Sequence, residues 1–196
     1  MSEAVASALH DVDVPRRIAR VVAFALFAAF TVWINYEVKF ALRPVAGTVE
    51  AIGALRVGAP APDFSVPDLD GAVVSLASMQ PRKTVLIEFW ATWCPPCRMV
   101  LATLRRMQDT LREHDVEVLS VNQAESPSQV RSFVDSEGMP FHVLIDADGS
   151  VAQRYQVTSL PTMLLIDRRG TIRWIHVGHM PETDELRDVI ERVAKE

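Results

Sequence analysis

The apolar stretch Thr84–Trp90, followed closely by Cys94-Pro95-Pro96-Cys97, constrains the fold of this chain more than any other feature. Only Glu88 interrupts the apolar stretch, which therefore predicts a strand in the middle of a sheet, buried on both faces. From Pro96 onward, apolar residues recur at the spacing of an α-helix. They are Val100, Leu101, Leu104, Met107 and Leu111. A buried strand that leads directly into a helix predicts an α/β fold, with both cysteines at the turn between the two elements.

Composition excludes several classes of protein. The two cysteines are the only ones among 196 residues, which excludes a disulfide-dense scaffold and a four-cysteine metal site. Hydrophobic residues make up 49% of the chain, too many for a disordered protein. The formal net charge of −5 leaves no basic footprint, so we expect no nucleic-acid partner.

Past residue 57, predicted strands and helices alternate before the chain ends in a hairpin and a helix. Asp70-Gly71 is typical of the turn in an N-terminal hairpin. Patterning predicts further strands at 116–122, 141–145, 163–166 and 171–177, and further helices at 128–137 and 182–194. This order predicts a mixed sheet with helices on both faces.

The first 57 residues differ in character from the rest. Arg16, Arg17 and Arg20 precede the uncharged run Val21–Ile34, a pattern that predicts one membrane-anchor helix with its N-terminus inside the cell. We therefore expect four regions. They are a cytoplasmic N-terminal tail at 1–20, a membrane-anchor helix at 21–42, a linker at 43–57 and a soluble domain at 58–196. A cleaved signal peptide, or an amphipathic helix packed on the domain, are the alternatives.

The turn that carries the cysteines suits redox chemistry. A thiolate is the reactive form of cysteine, and free N–H groups and the dipole at a helix N-terminus stabilise that anion on Cys94. Two intervening residues let the sulfur of Cys97 reach that of Cys94, so Cys94 can attack a partner disulfide and Cys97 can resolve the product. Pro95 and Pro96 fit the first helical positions and should stiffen the turn.

Two bland alternatives compete with this interpretation. The pair could be a structural disulfide, although it would be strained and exposed. It could also join His176 and His179 in a zinc site, but the histidine spacing is shorter than that class normally uses. We expect His176 to be a solvent-facing strand residue and His179 a loop residue, and we predict no metal.

Further motifs carry a resemblance to a known family. Phe89-Trp90-Ala91-Thr92-Trp93-Cys94-Pro95-Pro96-Cys97 resembles the active-site signature of the thioredoxin superfamily. Gly58–Phe64 and Asp68–Gly71 resemble the N-terminal extension of membrane-anchored TlpA/ResA-like thiol-disulfide oxidoreductases. Residues 124–155 resemble their inserted helix-strand unit, and Leu160-Pro161-Thr162 resembles the superfamily's cis-proline loop. The resemblance covers about residues 57–196 and implies a thioredoxin-like fold.

The resemblance implies roles for individual residues. Cys94 matches the nucleophile, Cys97 the resolving cysteine, and Pro161 the cis-proline that faces them. Leu160, the residue before Pro161, would pair with the substrate through its backbone. Glu88 resembles the buried acid that exchanges a proton with the resolving thiol; alternatively, it faces solvent at a sheet edge or pairs with a basic side chain.

The remaining aromatic and basic residues near the motif receive simpler predictions. We expect Trp93 to shield the cysteines and contact partners, together with Pro95 and Pro96. Trp90 is expected to pack in the core. Arg98 is most simply a solvated helix residue.

The resemblance also implies a location and partners. We expect a monomer without cofactor, tethered to the cytoplasmic membrane and facing the periplasm, that reduces disulfides of envelope proteins, for example in cytochrome c maturation or metal-site assembly. Such a reductase needs a membrane thiol-disulfide electron donor, because the compartment is oxidising. The alternatives are a copper-delivery module that uses the cysteine pair and a thiol peroxidase. Peroxidases carry Thr or Ser three residues before the attacking cysteine, where this chain has Ala91.

Overall fold

The computed structural model describes residues 16–41, 47–79 and 83–196, and the chain divides into two compact units between Arg43 and Pro44. The first unit contains helix α1, Arg16–Ala41. Its large apolar side chains are exposed. These side chains are Ile18, Val21, Val22, Phe24, Leu26, Phe27, Phe30, Val32 and Trp33. Within the described part of the chain, no helix combines the length and apolar character needed to cross a membrane. The predicted anchor at 21–42 is thus not confirmed, and most of the predicted tail at 1–20 lies outside the described residues.

The second unit is built on a six-stranded mixed sheet with the order β1-β10-β9-β6-β7-β8. Its strands are β1 Gly47–Thr48, β6 Thr84–Trp90, β7 Val116–Gln123, β8 His142–Asp146, β9 Thr162–Ile166 and β10 Ile172–Val177. Strands β6, β7 and β8 are parallel, whereas β9, β10 and β1 are each antiparallel to their neighbours. The mixed α/β fold predicted from the order of elements is confirmed.

Helices flank this sheet, and two small hairpins precede it. The helices are α2 Leu76–Met79, α3 Pro95–Arg106, α4 Gln108–Glu113, α5 Pro127–Glu137, α6 Ser150–Arg154 and α7 Thr183–Ala194. The hairpins pair β2 Ala51–Ile52 with β3 Leu55–Arg56, and β4 Ser65–Pro67 with β5 Val73–Ser75. An isolated bridge joins Asp68, just after β4, to Leu144 in the edge strand β8.

Strand β6 lies at the centre and is buried along its whole length. Because side chains alternate along a strand, Val85, Ile87 and Phe89 join the core that contains the hairpins and α6. Leu86 and Trp90 point to the opposite face, where α3, α4, α5 and α7 pack. Glu88 lies between Leu86 and Trp90 in the alternation, so it faces the side of the sheet that α3 covers.

Two local predictions were wrong, and one short helix was missed. The part of the predicted linker that the structure describes, 47–57, forms β1, β2 and β3, because Gly47–Thr48 finds a partner in β10. The predicted long helix from Pro96 breaks at Met107, whose N–H is shared between the carbonyls of Thr103 and Leu104. Helix α6 was not predicted, because five residues are too few to show a helical period.

Candidate active site

The two cysteines lie where β6 passes into α3. A tight turn, closed by a 3.1 Å hydrogen bond from the N–H of Cys94 to the carbonyl of Ala91, connects the two elements. Cys94 is the N-cap of α3, and Pro95 is its first helical residue, as expected for a residue without an N–H donor. Cys94 and Cys97 are joined as a disulfide, and the N–H of Cys97 donates to Cys94 Sγ at 3.3 Å.

The two sulfurs differ in access. Cys94 keeps 3% of its surface exposed, whereas Cys97 has none. Trp93, the residue before the pair, is 68% exposed. A protein partner can therefore approach Cys94 and Trp93 from solvent, but it cannot approach Cys97 directly.

Cys94 lies in the wall of an open groove with a volume of about 450 Å³. The groove is lined by the cysteine turn, the end of β7 and the loop before β9. Its lining residues are Trp93, Cys94, Pro95, Pro96, Gln123, Ala124, Val157, Thr158, Ser159 and Leu160. None of these ten side chains carries a formal charge. The groove thus offers apolar and neutral polar contacts along a path that passes the reactive sulfur.

The loop before β9 contains the predicted cis-proline. The Leu160–Pro161 peptide bond is cis, as predicted. Pro161 is buried and its carbonyl accepts a 2.8 Å hydrogen bond from the N–H of Gly178. Leu160 also lines the groove. Trp93, Cys94, Pro95, Pro96 and Leu160 therefore lie around one groove, and the buried Pro161 directly follows Leu160.

Glu88 is an uncompensated carboxyl group in the middle of the sheet. It is fully buried, and neither carboxyl oxygen has a hydrogen-bond partner among the described residues. Burial raises the pKa of Glu88 well above its usual value of 4.5, because desolvation disfavours the carboxylate. Its neighbours on the adjacent strands are Ser120 and Met163. The structure contradicts both alternatives for Glu88, the solvent-facing edge and the ion pair with a basic side chain.

The position of Glu88 on β6 relates it to the cysteines. Trp90, two residues further along the same face, packs in one apolar cluster with Cys94, Cys97 and Leu101. Glu88 is the next inward residue on that face. A buried carboxyl group thus lies in the strand beneath α3, on the face of the sheet that also carries Cys97.

A second carboxylate near the cysteines was missed by the sequence analysis. Glu125, just beyond β7, accepts hydrogen bonds from the N–H and the hydroxyl of Thr92, at 2.7 and 2.6 Å. Arg98 is an exposed helix residue, as predicted, and it also donates to the carbonyl of Thr92 at 3.1 and 2.9 Å. The position of Glu125 after a predicted strand could have identified it. The carboxyl ends of parallel strands meet at one edge of a sheet, so residues after β6 and after β7 are neighbours.

The prediction for His176 was wrong. The residue is 2% exposed rather than solvent-facing, and its ring stacks on Trp174 and contacts His179. The Nδ1 atom lies 3.0 Å from the hydroxyl of Thr48, and Nε2 has no partner among the described residues. Burial, and then the nearby His179, lower the pKa of His176. His179 is an exposed loop residue, as predicted. In the described ranges no three metal-ligating side chains cluster.

The sequence of this chain is similar to one family model and to several known thiol-disulfide oxidoreductases and thioredoxin-like proteins. Residues 57–175 match the family model described as AhpC/TSA family. The chain is 33% identical over 141 residues to the thiol-disulfide oxidoreductase ResA of Halalkalibacterium halodurans, which covers 71% of this chain and 80% of the relative. It is 38% identical over 133 residues to the thioredoxin-like protein YneN of Bacillus subtilis, covering 66% and 76% of the two chains.

Solved structures show the same similarity. A Chlorobium tepidum protein assigned as a thiol:disulfide interchange protein DsbE superposes with a TM-score of 0.67 at 32% identity, over 72% of this chain and 99% of that one. A secreted disulfide oxidoreductase of Mycobacterium tuberculosis, homologous to E. coli DsbE, gives a TM-score of 0.59 at 26% identity, over 66% and 95%. Both similarities extend over nearly the whole of the solved chains.

Proposed function

Because this chain belongs to the AhpC/TSA family and, within the thioredoxin superfamily, to the TlpA/ResA-like thiol-disulfide oxidoreductases, we propose that it reduces disulfides of proteins outside the cytoplasm. That it is a protein-disulfide oxidoreductase follows from the family. The direction, the partners and the roles of single residues are our proposal. The observation that supports them best is the cysteine pair at the head of α3, with one sulfur bordering the groove and the other buried.

The reaction proceeds in two exchanges that balance. In the reduced protein, the thiolate of Cys94 attacks one sulfur of the partner disulfide, forms a mixed disulfide and releases the partner's other sulfur as a thiolate. Cys97 then loses its proton and attacks Cys94 Sγ. This step closes the Cys94–Cys97 disulfide and releases the second partner thiolate. Two electrons have passed to the partner, which takes up two protons.

Glu88 supplies a base for the second exchange. Cys97 is fully buried, so its proton cannot pass directly to water. A desolvated carboxylate with a raised pKa is a stronger base than an exposed one, and Glu88 faces the side of the sheet that carries α3. We assign Glu88 to accept the proton of Cys97 as the mixed disulfide is resolved and to return it when the pair is reduced again.

The groove supplies the contacts to the partner. Trp93 offers a large exposed aromatic surface beside Cys94, and Pro95 and Pro96 make the rim of the turn rigid. The backbone of Leu160, in the loop that lines the groove, pairs with an extended segment of the partner. Because no lining side chain is charged, the preferred segment is uncharged next to its cysteine.

The proposed direction and location together require a source of electrons. A reductase outside the cytoplasm needs a membrane thiol-disulfide donor, since the compartment does not supply electrons. The basic flank Arg16, Arg17 and Arg20 before an apolar run supports export and attachment by α1. The Mycobacterium tuberculosis relative is described as secreted, which agrees with an extracytoplasmic site of action.

A trap for the mixed disulfide tests this function. The chain has only two cysteines, so in Cys97→Ser any disulfide adduct must involve Cys94. Because the second exchange is blocked, we expect this variant to accumulate reductant-sensitive adducts with envelope proteins in cells. The matched control is Cys94→Ser, whose remaining thiol at Cys97 is buried and should trap nothing.

The trap also separates the two directions. If the protein is a reductase, trapped partners accumulate as disulfides in cells that lack it; if it is an oxidase, they accumulate as thiols. Absence of adducts with Cys97→Ser, or equal adducts with Cys94→Ser, would contradict the proposed exchange.

A further inference from the structure

Two loops contribute to the groove wall. Trp93 and Cys94 belong to the turn before α3, whereas Gln123 and Ala124 belong to the segment at the end of β7. Glu125 follows Ala124 directly and is 9% exposed, and its carboxylate reaches from the second loop to the first. The two parts of the wall are thus connected by one buried side chain.

Glu125 binds Thr92 with both carboxylate oxygens. Oε2 accepts from the N–H of Thr92 at 2.7 Å, and Oε1 accepts from its hydroxyl at 2.6 Å. Oε2 also accepts from Nδ2 of Asn122 at 2.8 Å. Three donors therefore converge on one carboxylate, and hydrogen bonds to an ionised acceptor are shorter and stronger than neutral ones.

Arg98 holds the same residue by its carbonyl group. Its Nε and Nη2 atoms donate to the carbonyl of Thr92 at 3.1 and 2.9 Å, and its guanidinium lies 5.0 Å from the ring centre of Phe133. The N–H, hydroxyl and carbonyl of Thr92 thus all bind charged groups. Thr92 stands two residues before Cys94, inside the turn that presents the sulfur.

We propose that Glu125 is a positioning residue for thiol-disulfide exchange with protein partners. By holding Thr92, it sets the separation of the two loops and so the placement of Trp93 and Cys94 against a partner segment. This inference rests on the proposed function and adds to it a residue outside the cysteine motif. Glutamine is only a partial replacement, because it loses the charge and has an NH2 donor in place of one of the two acceptor oxygens.

Loss of the Glu125–Thr92 contact should affect large substrates more than small ones. A small disulfide needs only the sulfur of Cys94, whereas a protein segment must also fit between the two loops. Misplacing reacting groups by about 1 Å can cost about 100-fold in rate. Loosening Thr92 should therefore slow exchange with a protein disulfide more than exchange with a small one.

The test compares two substrates on the reduced full chain. We would measure second-order rate constants for insulin, as a protein disulfide, and for an aromatic small-molecule disulfide, and take their ratio. Glu125→Gln should lower the insulin-to-small-disulfide ratio about 10- to 100-fold. Thr92→Val removes the hydroxyl donor and should lower the ratio less than Glu125→Gln does. Thr92→Ser keeps both donors and should leave the ratio at the value of the unmodified chain.

A matched control lies in β7, the strand that precedes Glu125. Glu117 of β7 binds Lys83 at 2.6 Å at the other end of the sheet, so Glu117→Gln also removes a partnered carboxylate and should leave the ratio unchanged. An unchanged ratio in Glu125→Gln, or an equal fall in Glu117→Gln, would overturn the inference. If Glu125→Gln does not fold, an unchanged ratio in Thr92→Val overturns it instead. Failure of the unmodified chain to react with either disulfide would refute the proposed function, not this role of Glu125.

Discussion

Replacing Glu88 by Gln should change how the stability of the oxidised protein depends on pH. Glu88 is fully buried without a partner among the described residues, and burial raises its pKa above 4.5. Below pH 4.5, the folded and unfolded chains both carry a protonated Glu88. As the pH rises above 4.5, the unfolded chain releases this proton whereas the folded chain keeps it, so stability falls. Once the pH passes the folded-state pKa, the loss is complete and becomes constant.

The size of this effect follows from proton linkage. Stability falls by about 1.4 kcal/mol for each pH unit between the two pKa values at 25 °C. Glutamine has nearly the shape of the protonated acid but cannot ionise, so Glu88→Gln lacks this slope. With a urea dependence of about 1–3 kcal/mol per molar, the midpoint difference between the two proteins should grow by about 0.5–1.4 M per pH unit.

Urea titrations of both oxidised proteins, from about pH 5 to about pH 8, measure this difference. Other groups, including the buried His176, contribute equally to both curves and cancel. The variant should therefore gain on the unmodified protein as the pH rises. Parallel curves over the whole range would refute the reasoning, because they would mean that the carboxylate of Glu88 is solvated or paired in solution.

Two further outcomes test the proposed mechanism and location. Glu88→Gln should slow the resolution of the mixed disulfide by about 10²- to 10⁴-fold while the attack of Cys94 keeps its rate, as rapid-quench mass spectrometry can measure; equal slowing of both steps would contradict a proton transfer to Glu88. The full chain should fractionate with membranes, and recovery of the full-length chain in the soluble fraction would contradict the anchor. When protease is added to spheroplasts, the chain should be degraded from residue 58 onward, and protection from the protease would contradict the proposed orientation.

Local patterns predicted the centre of this site well. The apolar stretch around Glu88 and the helical spacing after Pro96 depend only on neighbours along the chain, and the structure has β6 and α3 at those positions. The burial of Glu88 also followed, because a residue in the middle of a strand buried on both faces has no access to solvent.

Contacts between distant segments could not be predicted in the same way. Glu125 and Thr92 are 33 residues apart, and their hydrogen bonds depend on the parallel register of β6 and β7. His176 lies beside Thr48, 128 residues away in the paired strand β1, and its ring contacts Trp174 and His179. The long-range partners of Glu125 and His176 leave no mark in the local sequence, so Glu125 was missed and His176 appeared to be a solvated residue.

The short strand β1 and the bridge at Asp68 affect how much of the sheet edge is open to other chains. Without these contacts, β10 and β8 would both present an edge of free N–H and C=O groups. Gly47–Thr48 pairs with one of them, and Asp68 bridges the other at Leu144. An open strand edge is a template on which another chain can add a strand and aggregate. By pairing with β10 and bridging β8, these two segments reduce the length of backbone that is open to such strand addition.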